Sequence, residues 1–275
     1  MLFFDLNYMK YVILFYRCAF IFLLLMSCSA PAVVCVSRPS VVAHRGGASL
    51  GPENTLLCIE RAIEVGVDAV EVDVRLTADG HAVLMHDAGV ERTTNGKGLV
   101  ASMTLDEVLA LRIVDEGVIT DERVPLLSEA LSLVAGRCGV LIEVKDDDAR
   151  GVEAVVLSVV QECGAEGWVA VQSFSDSVLE RFCSLGASFP LEKLFVFKVP
   201  FLPIIYDGSF SRFSFDKYEY ISSFNIHKWF ACKKVVGSVR SAGKAVKVWT
   251  LGKGDSKLPA NIDGLITDYP QSWLP

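Results

Sequence analysis

His44, Glu71, Asp73, His86 and Glu143 each stand at or near the end of an apolar run, with Arg45 and Lys145 close beside them. In Ala69–Val74 the two-residue period of a strand puts Glu71 and Asp73 on one face, and the same period pairs Glu143 with Lys145 in Val140–Lys145. Carboxylates side by side repel each other unless positive charge lies between them, and a hard divalent cation answers that need most simply. Histidine titrates close to neutral pH, so two histidines beside such a cation can take and return protons. Each fragment alone also fits an ordinary structural role: a strand-end histidine, a solvated edge face, a turn with a satisfied histidine, an exposed charged pair. Their joint order is what argues for a shared site.

The elements that must position these groups are readable from pattern. Val41–Ala43 is a short apolar run that breaks at His44-Arg45-Gly46-Gly47, as a buried strand entering a loop would. Pro52-Glu53-Asn54-Thr55 opens a helix capped by Asn54 or Thr55 and closed by Gly66, with Leu56, Ile59 and Ile63 on its buried face. The turn Ala78-Asp79-Gly80 folds Ala82–Met85 back antiparallel and brings His86-Asp87 toward Glu71 and Asp73. An insertion over about residues 88–122 follows, containing the capping box Thr104–Glu107. Beyond Pro125, strands and helices alternate, with Ser128 and Ser175 as expected helix caps and an irregular aromatic segment at Pro200–Tyr218.

Eight strands are expected to begin at Val41, Ala69, Val140, Trp168, Leu194, Tyr220, Ala245 and Gly264. Such alternation predicts parallel βαβ units, and eight of them predict a (β/α)8 TIM barrel. A doubly wound open sheet is disfavoured because no GxGxxG follows the first strand. Barrel active sites lie at the C-terminal strand ends. His44, Glu71, Asp73, Glu143, Lys145 and Trp249 should therefore meet at one mouth.

In this order and spacing, His44-Arg45-Gly46, Pro52-Glu53-Asn54-Thr55, Glu71-x-Asp73 and His86-Asp87 resemble the glycerophosphodiester phosphodiesterase family. The resemblance extends to Glu143-x-Lys145, Trp249-Thr250 and the closing Gly264–Pro270, and covers about residues 40–270. It implies a TIM barrel that hydrolyses glycerophosphodiesters to sn-glycerol 3-phosphate and an alcohol. It also implies Glu71, Asp73 and Glu143 as ligands of one Ca2+ or Mg2+, and His44 and His86 as the acid–base pair. Arg45, Lys145 and Trp249 would contact phosphate and substrate. These roles agree with the chemistry: the anionic oxygens of a phosphodiester repel a nucleophile until cations and hydrogen-bond donors draw off that charge. Which histidine is the acid, and whether water attacks directly or a cyclic phosphate forms first, both stay open.

Two other readings compete. One is a lysophospholipase D or sphingomyelinase-D-like activity on lipids, with Phe201, Leu202, Ile204 and Ile205 against acyl chains or a bilayer. The other is a non-catalytic surface-binding lipoprotein, against which an acid–base pair around a metal site argues. The chain departs from the family pattern after Thr250, where Leu251-Gly252-Lys253-Gly254 and a short Pro259-containing stretch replace the usual continuation and helix.

A net charge of −7 disfavours a nucleic-acid partner. Length suits one barrel domain, residues 36–275, behind a distinct N-terminal segment, residues 1–35. There Phe20–Met26 is unbroken apolar sequence after Arg17, shorter than the roughly 20 residues of a spanning helix. It is expected to be an export signal or an N-terminal anchor. Leu25-Met26-Ser27-Cys28 resembles a lipobox with Cys28 as the lipidated residue, so a periplasmic or membrane-anchored protein is expected. The eight cysteines include no CxxC pair, which removes zinc-site spacing. Scattered thiols also sit awkwardly with an oxidising compartment.

Overall fold

The computed structural model describes residues 38–145, 151–195 and 215–275. In chain order its elements are β1 (Ser40–Ala43), α1 (Leu56–Glu64), β2 (Ala69–Leu76), β3 (Ala82–Leu84), α2 (Leu105–Leu109), β4 (Val114–Asp115) and β5 (Val118–Ile119). There follow α3 (Leu127–Val134), β6 (Gly139–Val144), α4 (Val152–Glu162), β7 (Val169–Ser173), α5 (Asp176–Ser184) and β8 (Leu191–Phe195). The chain ends with β9 (Ile221–His227), α6 (Lys233–Ser241), β10 (Ala245–Leu251) and β11 (Gly264–Thr267).

β1 pairs in parallel with β11 on one side and with β2 on the other, so the sheet closes. The remaining neighbours follow as β11-β10-β9-β8-β7-β6-β2, all parallel, which makes the eight-stranded barrel. β2 is long enough to do two jobs. Its first residues close the barrel on β1, whereas Val74–Leu76 carry β3 antiparallel, with Val74 opposite Leu84. That hairpin delivers His86 to the barrel mouth, as the Ala78-Asp79-Gly80 turn predicts.

The main core lies between barrel and helices, where Ile59, Leu131, Val156, Leu179 and Val239 are fully or almost fully buried. Inside the barrel Val42, Leu141 and Ile266 form a small apolar cluster. The insertion folds over a core of its own, Val83, Met85, Val90, Val100, Val108, Ile113 and Val124. Thr104 caps α2 with Glu107 in the expected capping box.

Two local expectations are corrected, and one left open between two residues is decided. Helix α3 starts at Leu127, so Ser128 sits in its first turn instead of capping it; Glu129 reaches back to accept the Leu126 N–H at 2.9 Å. The fifth barrel strand is Leu191–Phe195 and not Leu194–Val199, of which 196–199 lie outside the described residues. Glu192 and Lys193 obscured it, since both are buried charges satisfied by partners distant in sequence. The residue before α1 that acts as cap is Thr55, whose hydroxyl accepts the Cys58 N–H at 3.1 Å.

No helix joins β10 to β11 among the described residues, in keeping with the altered sequence there. The connection is pinned instead by Asp255, whose Oδ2 accepts the Gly252 N–H and the Lys228 ammonium, each at 2.7 Å. The N-terminal segment 1–35, with Cys28, and the apolar residues Phe201, Leu202, Ile204 and Ile205 lie outside the described residues.

Candidate functional site

Glu71 and Asp73 rise from β2 and Glu143 from β6, and strand register sets Asp73 directly beside Glu143. One oxygen from each of the three carboxylates falls within 4.8 Å of the others, and all three residues are buried. Burial and the neighbouring Asp73 charge push the Glu71 carboxyl up to about 8. Burial and Asp73 likewise raise Glu143, against the pull of Lys145. Asp73 resists the same burial because Lys145, His86 and Arg45 surround it, and it stays well below the usual carboxylate range. The Lys145 ammonium lies 2.6 Å from Asp73 Oδ1 and also pairs with Glu143.

Two backbone-controlled contacts hold the carboxylates in place. The Arg45 N–H donates to Glu71 Oε2 at 2.8 Å, from a residue with φ of 51°. Asn54, buried with φ of 56°, clamps Asp73: its Nδ2 donates to Oδ2 at 2.9 Å and its Oδ1 accepts the Asp73 N–H at 3.1 Å. Asparagine tolerates that left-handed conformation better than most side chains. The Pro-Glu-Asn-Thr stretch thus divides its labour: Thr55 starts the helix and Asn54 serves the site.

Each histidine is tethered through Nδ1 to a carboxylate. His44 Nδ1 lies 2.6 Å from Asp268 Oδ1, and His86 Nδ1 lies 2.7 Å from Asp87 Oδ1. His44 Nε2 is then 4.0 Å from Glu71 Oε2. Burial draws the His44 pKa down, but the Asp268 hydrogen bond and the Glu71 charge outweigh it, and the net shift is upward. For His86, burial outweighs the Asp73 charge, Lys145 adds to it, and the net shift is downward. The Arg75 guanidinium fixes the His86 backbone by donating twice to its carbonyl, at 3.0 and 2.8 Å.

Both histidines, Arg45 and Glu143 line one pocket of about 90 Å³, together with Gln172 and the apolar Phe174, Leu194, Trp249 and Ile266. Trp249 is anchored by its indole N–H, which donates to the Asn225 carbonyl at 2.8 Å. From the insertion, Arg92 donates to both Glu53 oxygens at 2.8 Å and also pairs with Asp87. Glu53 in turn accepts from Arg45 at 2.9 Å, so the insertion is tied to the site by charge.

The sequence matches the glycerophosphoryl diester phosphodiesterase family over residues 44–272. The chain belongs to that family. It is 30% identical to the glycerophosphodiester phosphodiesterase of Caldanaerobacter subterraneus subsp. tengcongensis, across 85% of this chain and 96% of the relative. It is 31% identical to the glycerophosphodiester phosphodiesterase of Bacillus altitudinis, across 84% and 94%. Among solved structures it resembles an Oleispira antarctica phosphodiesterase in complex with the product sn-glycerol-3-phosphate, at 26% identity and a TM-score of 0.69, covering 85% of this chain and 94% of the other.

All the residues expected at the mouth of this glycerophosphodiesterase-family barrel do meet there: His44, Arg45, Glu71, Asp73, His86, Glu143, Lys145 and Trp249. Spacing alone did not give roles to Asp268, Arg92 or Gln172, because their contacts depend on barrel closure and on the insertion docking; Asp87 and Asn54 stood in the motifs, but only the structure shows that they hold His86 and Asp73. His227 ends β9 beside the mouth, its ring 4.8 Å from those of Trp249 and Trp229. His81 follows the hairpin turn with its side chain 48% exposed and does not line the pocket.

Proposed function

We propose that this chain hydrolyses glycerophosphodiesters to sn-glycerol 3-phosphate and an alcohol, using one divalent cation held by Glu71, Asp73 and Glu143. The observation that carries the reading is the meeting, in a chain of this family, of two carboxylate-tethered histidines with Glu143 in one pocket, the Glu143 carboxylate being clustered with those of Glu71 and Asp73. The three carboxylates fit a cation. Oxygens each about 2.4 Å from one ion stand up to nearly 5 Å apart, and these three lie within 4.8 Å of one another. An all-oxygen donor set suits Ca2+ or Mg2+, and the raised Glu71 pKa marks charge that the side chains alone leave under-compensated.

When bound, the cation draws negative charge from the phosphodiester oxygens and makes phosphorus a better electrophile. Arg45 and Lys145 add donors to the same oxygens. Asp268 and Asp87 each accept an Nδ1–H, so both imidazoles keep Nε2 for the reaction. One imidazole takes the proton of the attacking hydroxyl or water, and the other returns a proton to the leaving alkoxide. Phe174 and Trp249 give the pocket an apolar wall, which disfavours bulk water beside the reacting groups. The apolar run Phe20–Met26 supports export of the barrel, which detection of the mature protein outside the cytoplasm would test.

The test is release of sn-glycerol 3-phosphate from glycerophosphocholine with Ca2+, with Mg2+ and with EDTA, alongside His44→Ala and His86→Ala. Cation-dependent release that falls about 10²–10⁴-fold in either folded variant is expected. No release from folded protein with either cation would overturn the reading. Release from lysophosphatidylcholine alone would transfer the activity to lipid substrates.

A further inference from the structure

TIM-barrel interiors are filled mainly by branched apolar side chains. Here a polar chain runs through the interior instead, built from Gln172 on β7, Glu192 on β8, Ser223 and Asn225 on β9 and Lys247 on β10. Gln172, Glu192, Ser223 and Asn225 are buried, and the Lys247 side chain is 17% exposed. Asn225 uses every polar group it has. Its Nδ2 donates to Gln172 Oε1 and to Glu192 Oε2, each at 2.8 Å, while its Oδ1 accepts from the Ser223 hydroxyl at 3.0 Å. The second Glu192 oxygen pairs with the Lys247 ammonium. The free end of the chain is the Gln172 amide nitrogen, which donates to Glu71 Oε1 at 3.4 Å.

The chain has a polarity, and its ends set it. A carboxylate paired with an ammonium only accepts hydrogen bonds. Glu192 therefore takes one Asn225 amide hydrogen, and the other goes to the Gln172 carbonyl oxygen. With its oxygen engaged on that side, Gln172 must turn its N–H toward Glu71. Glu71 is then held at both oxygens, by the Arg45 N–H on Oε2 and by Gln172 on Oε1. A core with no function beyond packing would do as well with apolar residues in place of this ion pair, since taking two charges out of water carries a desolvation penalty.

We propose that Gln172, oriented through Asn225 by the buried Glu192–Lys247 pair, is a positioning residue that presents the Glu71 carboxylate to the divalent cation. The inference rests on the cation site assigned above to Glu71, Asp73 and Glu143. Groups that orient metal ligands typically govern affinity by about 10–100-fold. None of Asn225, Glu192 and Lys247 is part of the carboxylate cluster, so their effect passes through Gln172.

The experiment is calorimetric titration of the substrate-free protein with Ca2+ and with Mg2+, for wild type, Asn225→Leu, Gln172→Met and Val156→Ala. The last removes volume from the helix-side core, far from the chain, and serves as a stability control. Asn225→Leu and Gln172→Met are expected to bind about 10–100-fold more weakly, and Val156→Ala like wild type despite a lower Tm. Melting curves without cation establish that each variant is folded. Should either interior variant fail to fold, Ser223→Ala removes only the hydroxyl on Asn225 Oδ1, and a smaller loss in the same direction is expected. Wild-type affinity in the folded interior variants overturns the inference. So does an affinity loss in Val156→Ala as large as theirs, because affinity would then merely follow stability. Failure of the wild type to bind either cation would remove the cation site itself, a result distinct from both.

Discussion

His44 Nδ1 lies 2.6 Å from Asp268 Oδ1, and the contact exists only because the first and last strands of the barrel are neighbours. Ala43 is in register with Thr267, so the residue that follows each strand meets its counterpart across the seam. The carboxylate fixes the tautomer in which Nδ1 carries a proton and Nε2 faces the pocket. An asparagine at 268 carries no charge and offers a donor as readily as an acceptor, so it would no longer enforce that tautomer. Asp268→Asn is expected to lower kcat by about 10²–10⁴-fold with a nearly unchanged Tm. Steady-state kinetics beside a thermal melt checks this; an effect confined to KM would place Asp268 in substrate binding instead.

Asn54 makes two hydrogen bonds to Asp73 from a left-handed backbone conformation. Asn54→Ala strips one bond from a fully buried carboxylate and one from its backbone N–H, and adds strain at a positive φ. A buried polar group left unpaired costs about 1–3 kcal/mol. A loss of unfolding free energy of at least that size is expected in urea titrations of the metal-free protein. Thr55→Ala, which removes the cap hydroxyl but not the clamp, should destabilise by about 1 kcal/mol and leave the cation affinity unchanged.

Stripped of a cation, the site holds Glu71, Asp73 and Glu143 against one another, with burial and Asp73 pushing Glu71 up to about 8. Glu71→Gln relieves part of that repulsion while removing one of the three proposed ligands. In EDTA the variant is therefore expected to melt above wild type, and in excess Ca2+ or Mg2+ the order should reverse. Differential scanning calorimetry in the two conditions reads this directly. The same ranking in both would count against these carboxylates as a cation site.

How much of this was legible beforehand depends on the range of the contacts. The strand-end charges on β2 and β6 were readable because a two-residue period places Glu71 with Asp73 and Glu143 with Lys145 whatever the rest of the chain does. The hairpin that delivers His86 was readable because Asp79-Gly80 states its turn locally. Asp268, Arg92 and Gln172 were not, since each acts on a partner 224, 39 or 101 residues away. Strand β8 was misplaced for a related reason: Glu192 looks solvent-facing until Lys247, 55 residues on, is known to meet it inside the barrel. Local pattern thus found the mouth at which these groups meet, and only closure of the barrel revealed what holds them.

The Asp79 carboxylate ties the β2–β3 turn to the insertion. Its Oδ1 accepts from the Thr77 hydroxyl at 2.6 Å and from the Leu105 N–H at 3.0 Å, and it lies beside His81. The Thr77 hydrogen bond and the Leu105 N–H hold its pKa at about 2. An unfolded aspartate titrates near about 3.9. Because the folded pKa is the lower of the two, the unfolded chain binds the proton first. The stabilisation is fully present above about pH 4 and is lost as pH falls toward about 2. Asp79→Asn removes this one contribution, so its Tm should fall less steeply than that of wild type over that window, while the two curves run parallel above pH 5. Thermal melts from pH 2 to pH 7 check this. Parallel curves throughout would mean that the turn-to-helix bonds add nothing to stability.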